Sequence, residues 1–265
     1  MKIANKYNHL HAEEYLLVRK KTIFNELKDC IRSVDANQCL KVSGDMSKLG
    51  MVFYNQDSIN DAFMDEMRRK GWDSNEEYYY VTSDEDITRE IVKIKDKHKQ
   101  KEIIEDSGLS AYSTSNQVDF QKDEVAVEMQ FGKYSFVTYD LHVKHTFFYS
   151  RGDINVGIEI IPTKAMEKHM DGGVPYFEKE VNNVIRGGRT NPPIPILILG
   201  IQPDVFCSYE PRDFTENEYL KILKSSSSRT LSSLRENIKK ALASSSTRAD
   251  IANRIKIIQP CLEMV

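Results

Sequence analysis

Apolar residues recur at helical spacing near the start of the chain. Leu16, Ile23 and Leu27 lie on one stripe, because residues three, four and seven apart share a helix face. This stripe predicts one continuous packing helix over residues 12–33. Residues 84–105 are also helix-prone but densely charged, with acids on both sides of a basic run. That pattern favours a solvated helix surface over a phosphate-binding face.

Between these two segments the pattern predicts another helix and a short aromatic strand. Ser58 and Asp61 have the spacing of a capping box, in which side chains at a helix start satisfy free backbone amides. We therefore expect a helix over residues 58–70 that ends at Gly71, because glycine readily adopts the backbone conformation that stops helices. The aromatic run EYYYV, residues 77–81, predicts a strand.

Strands and helices alternate in the centre of the chain. The predicted strands cover residues 118–121, 125–131, 154–162 and 195–201, and the predicted helices cover residues 134–150 and 177–186. The first two strands surround a tight turn at residues 122–124, which predicts a hairpin. The last strand is a continuous apolar run, typical of a strand that is buried on both faces. This order predicts an α/β fold with a mixed central sheet flanked by helices.

The composition changes after residue 203. Three short amphipathic helices are expected there, separated by serine-rich stretches at residues 225–228 and 244–246 that suit linkers or helix caps. We therefore divide the chain into a main domain, residues 1–203, and a small helical C-terminal extension, residues 204–265. The sequence leaves open whether the extension completes a dimer, embraces a substrate or binds another partner.

Composition places the chain among ordinary globular proteins. Of its 265 residues, 40% are hydrophobic and 29% are charged, which is enough for one ample core. The amino terminus lacks the apolar region of a secretion signal, and no segment has the apolar length that a membrane span needs. We therefore expect a cytoplasmic location and no membrane contact.

The charge balance excludes a protein that coats nucleic acid through a general positive field. The 37 Lys and Arg residues are balanced by 40 Asp and Glu residues, for a net charge of −3. A site-specific enzyme is less constrained, because a local basic cleft and a metal ion can supply the positive charge. Four scattered cysteines without CxxC spacing indicate reduced thiols rather than a zinc ribbon or a disulfide framework.

The run VDFQKDEVAVEMQF, residues 118–131, contains the candidate chemistry. Strand alternation places Glu128 and Gln130 on one face, opposite the apolar side chains, and the hairpin returns Asp119 towards them. The two carboxylates and the backbone carbonyl of Met129 are hard oxygen ligands that suit Mg²⁺. A metal ion there would activate water for phosphodiester hydrolysis. The spacing is loose, however, and surface carboxylates on a hairpin would produce the same pattern.

Longer segments around this run resemble a known protein family. The segments are NQVDF and VAVEMQFGKYSFVTYDLHVKH within residues 116–145, YNHLHAEEYLLVR near the start, INVGIEIIP, and YFEKEVNNVIRGGR. Together they resemble the BglII family of type II restriction endonucleases, in register over residues 1–203. The resemblance implies the PD-(D/E)xK nuclease fold, here as the mixed sheet and flanking helices, with the C-terminal extension as a helical appendage.

The resemblance also implies an activity and its partners. It implies cleavage of both strands of double-stranded DNA at a six-base palindrome with a GATC centre, by a symmetric homodimer. A divalent metal is obligatory in the family, and we expect Mg²⁺, for which Mn²⁺ would substitute. Cleavage would leave 5′-phosphate ends with four-base 5′ overhangs. A cognate DNA methyltransferase is expected in the same bacterial or archaeal cytoplasm.

By this resemblance, Asp119, Glu128 and Gln130 are catalytic. Gln130 occupies the position at which most nucleases of the superfamily carry Lys, and a neutral amide cannot supply a positive charge. It can orient a water or hydrogen-bond a phosphate oxygen, so more of the activation depends on the metal. The BglII type shares this glutamine, and the general base stays unassigned.

The candidate DNA contacts are Asn116, Lys133, Asp171, Gly172, Gly173, Arg186 and Arg189. Lys133 follows the catalytic strand and could donate to guanine O6 and N7, with contact to phosphate alone as the alternative. Residues 169–176 resemble a recognition loop of the family, in which Gly172 replaces a polar residue found in a relative. Arg186 and Arg189 flank a glycine pair and suit a phosphate clamp, with two solvated arginines at a helix C-cap as the alternative.

Two other functions stay open. A repair or nicking nuclease with looser sequence demand would use the same fold, and a catalytically inactive DNA-binding protein would keep the fold without the chemistry. The intact pair of Asp119 and Glu128 argues against the inactive protein. His145 falls on the apolar face of its predicted helix, which favours a core or dimer-interface position over a metal ligand. The helix that begins near residue 134 is the candidate dimer contact.

Overall fold

The computed structural model describes residues 1–244 and 247–265. Its strands are β1 (Lys2–His9), β2 (Leu40–Val42), β3 (Val52–Tyr54), β4 (Asp73–Val81), β5 (Tyr112–Lys122), β6 (Val125–Met129), β7 (Val156–Pro162) and β8 (Ile196–Gln202). Its α-helices are α1 (Ala12–Arg19), α2 (Lys21–Ser33), α3 (Gln56–Arg69), α4 (Glu85–Ile91), α5 (Lys97–Asp106), α6 (Ser135–Tyr139), α7 (His145–Ser150), α8 (Lys164–Glu167), α9 (Phe177–Gly187), α10 (Glu216–Ser225), α11 (Ser228–Ala243) and α12 (Ala249–Glu263). A π-helical turn, Asp140–Lys144, joins α6 to α7.

Six strands form one mixed sheet in the order β1-β8-β7-β6-β5-β4. The central strands β6, β7 and β8 are parallel, whereas β1, β5 and β4 pair antiparallel with their neighbours. Strands β2 and β3 form a separate antiparallel pair. The predicted α/β fold with a mixed central sheet flanked by helices is confirmed.

Helices cover both faces of the central sheet. Alternate residues of the parallel strands, such as Val127, Ile158 and Leu199, belong to the main hydrophobic cluster, together with buried residues of α2 and α3. Intervening residues such as Ile198 pack in a second cluster with Leu141 of the π-helical turn and with α9. Because both faces are buried, these strands appear in the sequence as nearly continuous apolar runs.

The predicted hairpin is confirmed at the turn between β5 and β6. Lys122 pairs with Val125, so the loop contains only Asp123 and Glu124. Both loop residues have positive φ, 46° and 65°. Two-residue hairpin loops favour this left-handed conformation because its twist matches that of the strands, and Asp tolerates it better than most residues.

The single helix predicted over residues 12–33 is wrong in its continuity. Lys20 has φ −130° and ψ 31°, outside the helical region, and it separates α1 from α2. The charged segment 84–105 likewise forms two helices. Asp84 and Asp96 each accept a backbone N–H at the start of a new helix, and such N-caps define separate helix beginnings.

Two further boundaries differ from the prediction. The side chain of Asn55 accepts the N–H of Asp57 at 3.2 Å, so α3 begins before Ser58 and the predicted capping box does not form. Strand β5 already begins at Tyr112, because β4 pairs with it over this whole length. A local sequence pattern contains no information about a partner strand that lies elsewhere in the sequence.

Sequence patterning also does not reveal β1 or the small sheet. Strand β1 alternates exposed and half-buried residues, and its position at the sheet edge is set by pairing with β8, from Lys2 with Gln202 to His9 with Ile196. Strands β2 and β3 have three residues each, too few to show a period.

The C-terminal helices pack against the small sheet. Tyr219 of α10 is buried, and its hydroxyl donates to the Gly50 carbonyl at 2.8 Å. Leu223 of α10 and Ile255 of α12 share the main hydrophobic cluster with Val52 of β3. The extension therefore contributes to the same core as the preceding residues, through β2 and β3.

The first serine-rich stretch lies where one helix ends and the next begins. Ser227 accepts the N–H of Thr230 and caps α11, in agreement with the cap predicted within residues 225–228. In the second stretch, residues 245–246 lie outside the described part of the chain. The domain boundary after residue 203 stays a prediction.

The four cysteines, Cys30, Cys39, Cys207 and Cys261, are free thiols. Within residues 1–244 and 247–265, no helix has the length and apolar character that crossing a membrane would require.

Candidate active site

The β5–β6 hairpin opens where the candidate catalytic residues lie. Its ladder ends at the pair of Phe120 and Val127. Beyond that pair, Oδ2 of Asp119 accepts the N–H of Met129 at 3.0 Å. This bond satisfies a strand amide that β5 no longer pairs, and it fixes the Asp119 carboxylate beside the end of β6.

Glu128 is a buried carboxylate on the same strand end. Its side chain is 1% exposed, and its Oε2 accepts a hydrogen bond from Nζ of Lys144 at 3.1 Å. Its Oε1 is buried and has no hydrogen-bond partner among the described residues. Burial, together with the charges of Asp119 and Asp140, raises the pKa of Glu128 well above its usual range, and Lys144 opposes this rise. An unpartnered buried carboxylate oxygen is costly alone and suits the binding of a cation.

One cleft of about 280 Å³ unites the residues predicted for catalysis and metal binding. Its lining includes Asp119, Glu128, Met129 and Gln130. The cationic side chains of Arg68 and Lys144 also line the cleft. The sequence positions predicted to act together are thus adjacent in the fold, while their individual roles stay predictions.

Gln130 lies where this cleft meets a second pocket. Its Oε1 accepts the N–H of Gly132 at 3.0 Å, which fixes the orientation of the amide. The side chain lines both cavities. A single residue therefore connects the candidate reaction cleft with the candidate recognition pocket.

The oxygen donors of the cleft suit a hard divalent cation. Asp119 is half-buried, Glu128 offers an unpartnered oxygen, and the Met129 carbonyl lies at the same strand end. Mg²⁺ usually keeps several waters and uses few protein ligands, so two carboxylates and one backbone carbonyl are a chemically suitable ligand set. Among the described residues, no three His, Cys, Asp or Glu side chains form a group that could hold a metal ion. The predicted ligand set contains only two such side chains, Asp119 and Glu128, and is completed by a backbone carbonyl and waters, so it is compatible with that finding.

Two charged residues at the cleft were not predicted from the sequence: Lys144, which lines the cleft, and Asp140, which pairs with it. Nζ of Lys144 lies 2.8 Å from Oδ1 of Asp140. Burial lowers the pKa of the Lys144 ammonium, but the carboxylates of Glu128 and Asp140 outweigh burial and raise it, so the lysine is charged. The available signal was an acid and a base four residues apart in a helical segment that contains no other Asp, Glu, Lys or Arg.

A second buried pair lies beside Glu128. Glu159 is the register partner of Glu128 in the parallel ladder, and its Oε2 is 3.5 Å from Nε2 of His145. Both side chains are fully buried. Burial lowers the pKa of His145 to about 3, so the imidazole is uncharged at neutral pH. Burial, together with the charges of Asp140 and Glu128, raises the pKa of Glu159 well above its usual range. His145 thus occupies the core, one of its two predicted positions.

Several predicted DNA contacts meet at the second pocket, which has a volume of about 440 Å³. Lys133, Gly172 and Gly173 line this pocket beside Gln130. The N–H of Tyr134 donates to the Gly173 carbonyl at 2.9 Å and joins the loop to the start of α6. A Cβ at Gly172 would meet no heavy atom within 4 Å, so the pocket has room for a side chain at this position.

Asp171 and Asn116 are engaged within the protein. Asp171 forms an ion pair with Lys41 of β2. Asn116 is 4% exposed; its Nδ2 donates to the Tyr79 hydroxyl at 3.2 Å, and its Oδ1 accepts from the Tyr139 hydroxyl at 2.7 Å. Both ends of this amide are occupied, so direct contact of Asn116 with DNA requires the tyrosine network to open.

Arg186 and Arg189 lie apart from the cleft. They are found at and beyond the C-terminal end of α9, and Arg189 lines a different pocket with Tyr7 and His9. His9 pairs with Ile196 at the beginning of β8, whereas the cleft lies at the end of the parallel strand β6. The structure does not bring these arginines together with the catalytic candidates.

Comparison with known proteins identifies the fold and the family. The family model for restriction endonuclease BglII/BglIII matches residues 4–201. Restriction endonuclease BglII complexed with a DNA 16-mer has a similar structure, with a TM-score of 0.54 and 20% identity over 78% of this chain and 81% of that chain. Free BglII has a TM-score of 0.48 and 18% identity over 78% and 82% of the two chains. No curated protein sequence matches the chain. Because the family match extends over most of its length, the chain belongs to the restriction endonuclease BglII/BglIII family and is a nuclease.

Proposed function

We propose that this type II enzyme hydrolyses both strands of double-stranded DNA at a palindromic, GATC-centred site, with Mg²⁺ as cofactor and Mn²⁺ as a substitute. One observation carries the proposal: Asp119 and Glu128 line the same cleft as Gln130, which also lines the pocket of Lys133. Groups suited to the reaction therefore adjoin groups suited to reading bases. Family membership supports the reaction, and the resemblance over residues 1–203 supports the site.

Asp119, Glu128 and the Met129 carbonyl would hold the metal ion. Such an ion supplies positive charge at the scissile phosphate and lowers the pKa of a bound water. The protein fixes the geometry, because the bond from the Met129 N–H to Asp119 ties the carboxylate to the strand end. Gln130 is oriented through Gly132, so its NH₂ group can donate to a water or a phosphate oxygen. Donors fixed before the reaction stabilise the charge that develops during attack.

Lys133 and the glycine loop would read the bases. The Lys133 ammonium is exposed at the start of the helix and can donate to guanine in the major groove. Gly172 and Gly173 permit close approach of DNA to the loop, and the ion pair of Asp171 with Lys41 would hold that loop in place. Arg186 at the end of α9 and Arg189 beyond it would contact phosphates at a distance from the cleft.

In a symmetric homodimer, each subunit would present the same DNA-reading surface to one half of a palindrome. Large side chains are 38–49% exposed on the helical segment that begins after Tyr134: Phe136, Tyr139, Val143 and Tyr149. Exposed apolar residues grouped on one segment are typical of interaction sites. We propose this segment as the dimer contact, and Asn116 as the buried support of its Tyr139.

The products and the biological setting are proposed from the resemblance. Cleavage outside the GATC core would leave 5′-phosphates and four-base 5′ overhangs. Within the family, the segments from residues 116–145 favour BstYI as the nearest counterpart. A cognate DNA methyltransferase and a cytoplasmic location, in a bacterium or an archaeon, follow from the same proposal.

Sequencing the ends of cleaved DNA tests this function. Plasmid DNA is incubated with the wild-type protein and Mg²⁺, and the fragment ends are sequenced on both strands. We expect discrete fragments whose ends flank GATC with four-base 5′ overhangs. Nicks or a smear would instead indicate a repair or nicking nuclease. Uncut GATC-containing DNA at every salt concentration would overturn the proposal.

A further inference from the structure

Lys144 lines the cleft and was not among the residues predicted from the sequence to act there. Its Nζ is 3.1 Å from Oε2 of Glu128 and 2.8 Å from Oδ1 of Asp140. Both carboxylates are almost fully buried, whereas the Lys144 side chain is 21% exposed. The ammonium therefore contacts Glu128 on one side and keeps an open side towards the cleft that it lines.

The backbone around Lys144 is unusual in the same place. Residues Asp140–Lys144 form a π-helical turn between α6 and α7. Such turns are rare, interrupt regular helices at a cost and occur frequently at functional sites. This turn carries both Asp140 and Lys144 over the end of β6, where Glu128 and Met129 lie.

The charges of the cleft show what Lys144 can contribute. Asp119, Glu128 and Asp140 are acidic, and Gln130 is a neutral amide that cannot offset them. Arg68 also lines the cleft, but among the described residues the ion pair with Glu128 is made by Lys144. Attack on a phosphodiester adds negative charge to this already acidic cleft, and a fixed cation offsets it.

We propose that Lys144 is the positioning cation of this active site. Lys144 holds Glu128 through Oε2 and leaves Oε1 for a metal ion. From the helical segment it also supplies the positive charge that the neutral Gln130 cannot supply from the strand. The inference rests on the proposed nuclease function and deepens it, because it names the residue that supplies the positive charge missing at Gln130.

Substitution of Lys144 tests this role against a purely structural ion pair. Lys144→Met keeps the length of the side chain and removes its charge, and Lys144→Arg keeps the charge. Lys122→Met is the matched control, because Lys122 makes a similar ion pair with Glu26 at 2.7 Å, is 25% exposed and lies outside the cleft lining. Glu128→Ala is the reference for a lost ligand.

Three measurements are made on each variant: the single-turnover rate of DNA cleavage, the melting temperature, and Mn²⁺ binding without DNA by electron paramagnetic resonance. We expect Lys144→Met to cleave about 100-fold more slowly, the scale for loss of one preorganised stabilising group. Mn²⁺ should bind this variant at least as tightly as the wild type, because a like charge near the cation is removed. Lys144→Arg should recover at least about tenfold of the lost rate, and Lys122→Met should cleave within about threefold of wild type.

A lysine with only a structural role would not produce this combination of slower cleavage and undiminished Mn²⁺ binding. Cleavage by Lys144→Met within threefold of the wild-type rate would overturn the inference. Loss of Mn²⁺ binding in Lys144→Met to the level of Glu128→Ala would overturn it as well, because the slower cleavage would then follow from the lost metal ion and not from the lost charge of Lys144. If the wild-type protein itself does not cut DNA, the proposed function fails; if the wild type cuts and Lys144→Met also cuts, only the role of Lys144 fails.

Discussion

Gly157 lies against the buried His145 ring, so its replacement by alanine tests how tightly the protein is packed beside the active site. A Cβ at Gly157 would lie 2.7 Å from Nδ1 and 2.8 Å from Cγ of His145. The ring is fully buried, so either the ring or strand β7 must move. Overpacking of this kind costs about 1–3 kcal/mol of unfolding free energy. For a chain of this size, each kcal/mol lowers the melting temperature by about 2–4 °C.

Urea denaturation followed by circular dichroism measures this loss for Gly157→Ala. The control is Gly172→Ala, because a Cβ there meets no heavy atom within 4 Å and the backbone is not left-handed. Its unfolding free energy should stay within about 0.5 kcal/mol of wild type. Since His145 follows Lys144 directly in the chain, we also expect Gly157→Ala to cleave DNA more slowly. Equal stability of the two alanine variants would refute the contact between β7 and His145.

Three further predictions follow from the buried pair, the recognition pocket and the loop support. The raised pKa of Glu159 means that the folded protein keeps a proton which the unfolded chain releases above about pH 4.5, so the stability contributed by this group falls as pH rises. The lowered pKa of His145 has the opposite effect between about pH 3 and 6.5, and wild type and Glu159→Gln share it. Because Glu159→Gln lacks the titrating carboxylate, its unfolding free energy relative to wild type should rise as pH rises above about 4.5, by up to about 1.4 kcal/mol per pH unit. Parallel curves in denaturant titrations would contradict this. Lys133→Ala should lose about 1–3 kcal/mol of discrimination at one base pair in cleavage of cognate and singly substituted sites, whereas a uniform loss across all sequences would indicate a phosphate contact. Tyr209 stacks on His169 at the start of the recognition loop, with ring centroids 4.1 Å apart, so Tyr209→Leu should lower the ratio of cognate to non-cognate cleavage, and an unchanged ratio would exclude support of the loop by the C-terminal extension.

The hairpin and its carboxylates could be predicted because their signals are local. Strand alternation separates Glu128 and Gln130 from the apolar residues of β6, and a two-residue turn returns β5 alongside. The alternation could not reveal that the helical segment after Tyr134 covers this polar face. For that reason the burial of Glu128 and its contact with Lys144 were not foreseen.

Other features depend on partners that are distant in the sequence. Strand β1 exists because β8 offers its edge, and β2 and β3 are supported by helices that follow residue 203. Helix breaks at Lys20 and at the Asp96 cap interrupt segments whose charge and apolar spacing both favour continuous helices. In each case tertiary contacts or a cap outweigh a weak local preference.

The proposed function depends most on cleavage of DNA in the cleft of Asp119 and Glu128. The direct test is the single-turnover cleavage rate of Glu128→Ala with Mg²⁺, beside wild type and beside Glu105→Ala, whose side chain is exposed on α5 and outside the cleft. We predict a rate at least about 100-fold below wild type for Glu128→Ala, a normal rate for Glu105→Ala, and unchanged folding of both by circular dichroism. Folded Glu128→Ala that cleaves at the wild-type rate would contradict the account.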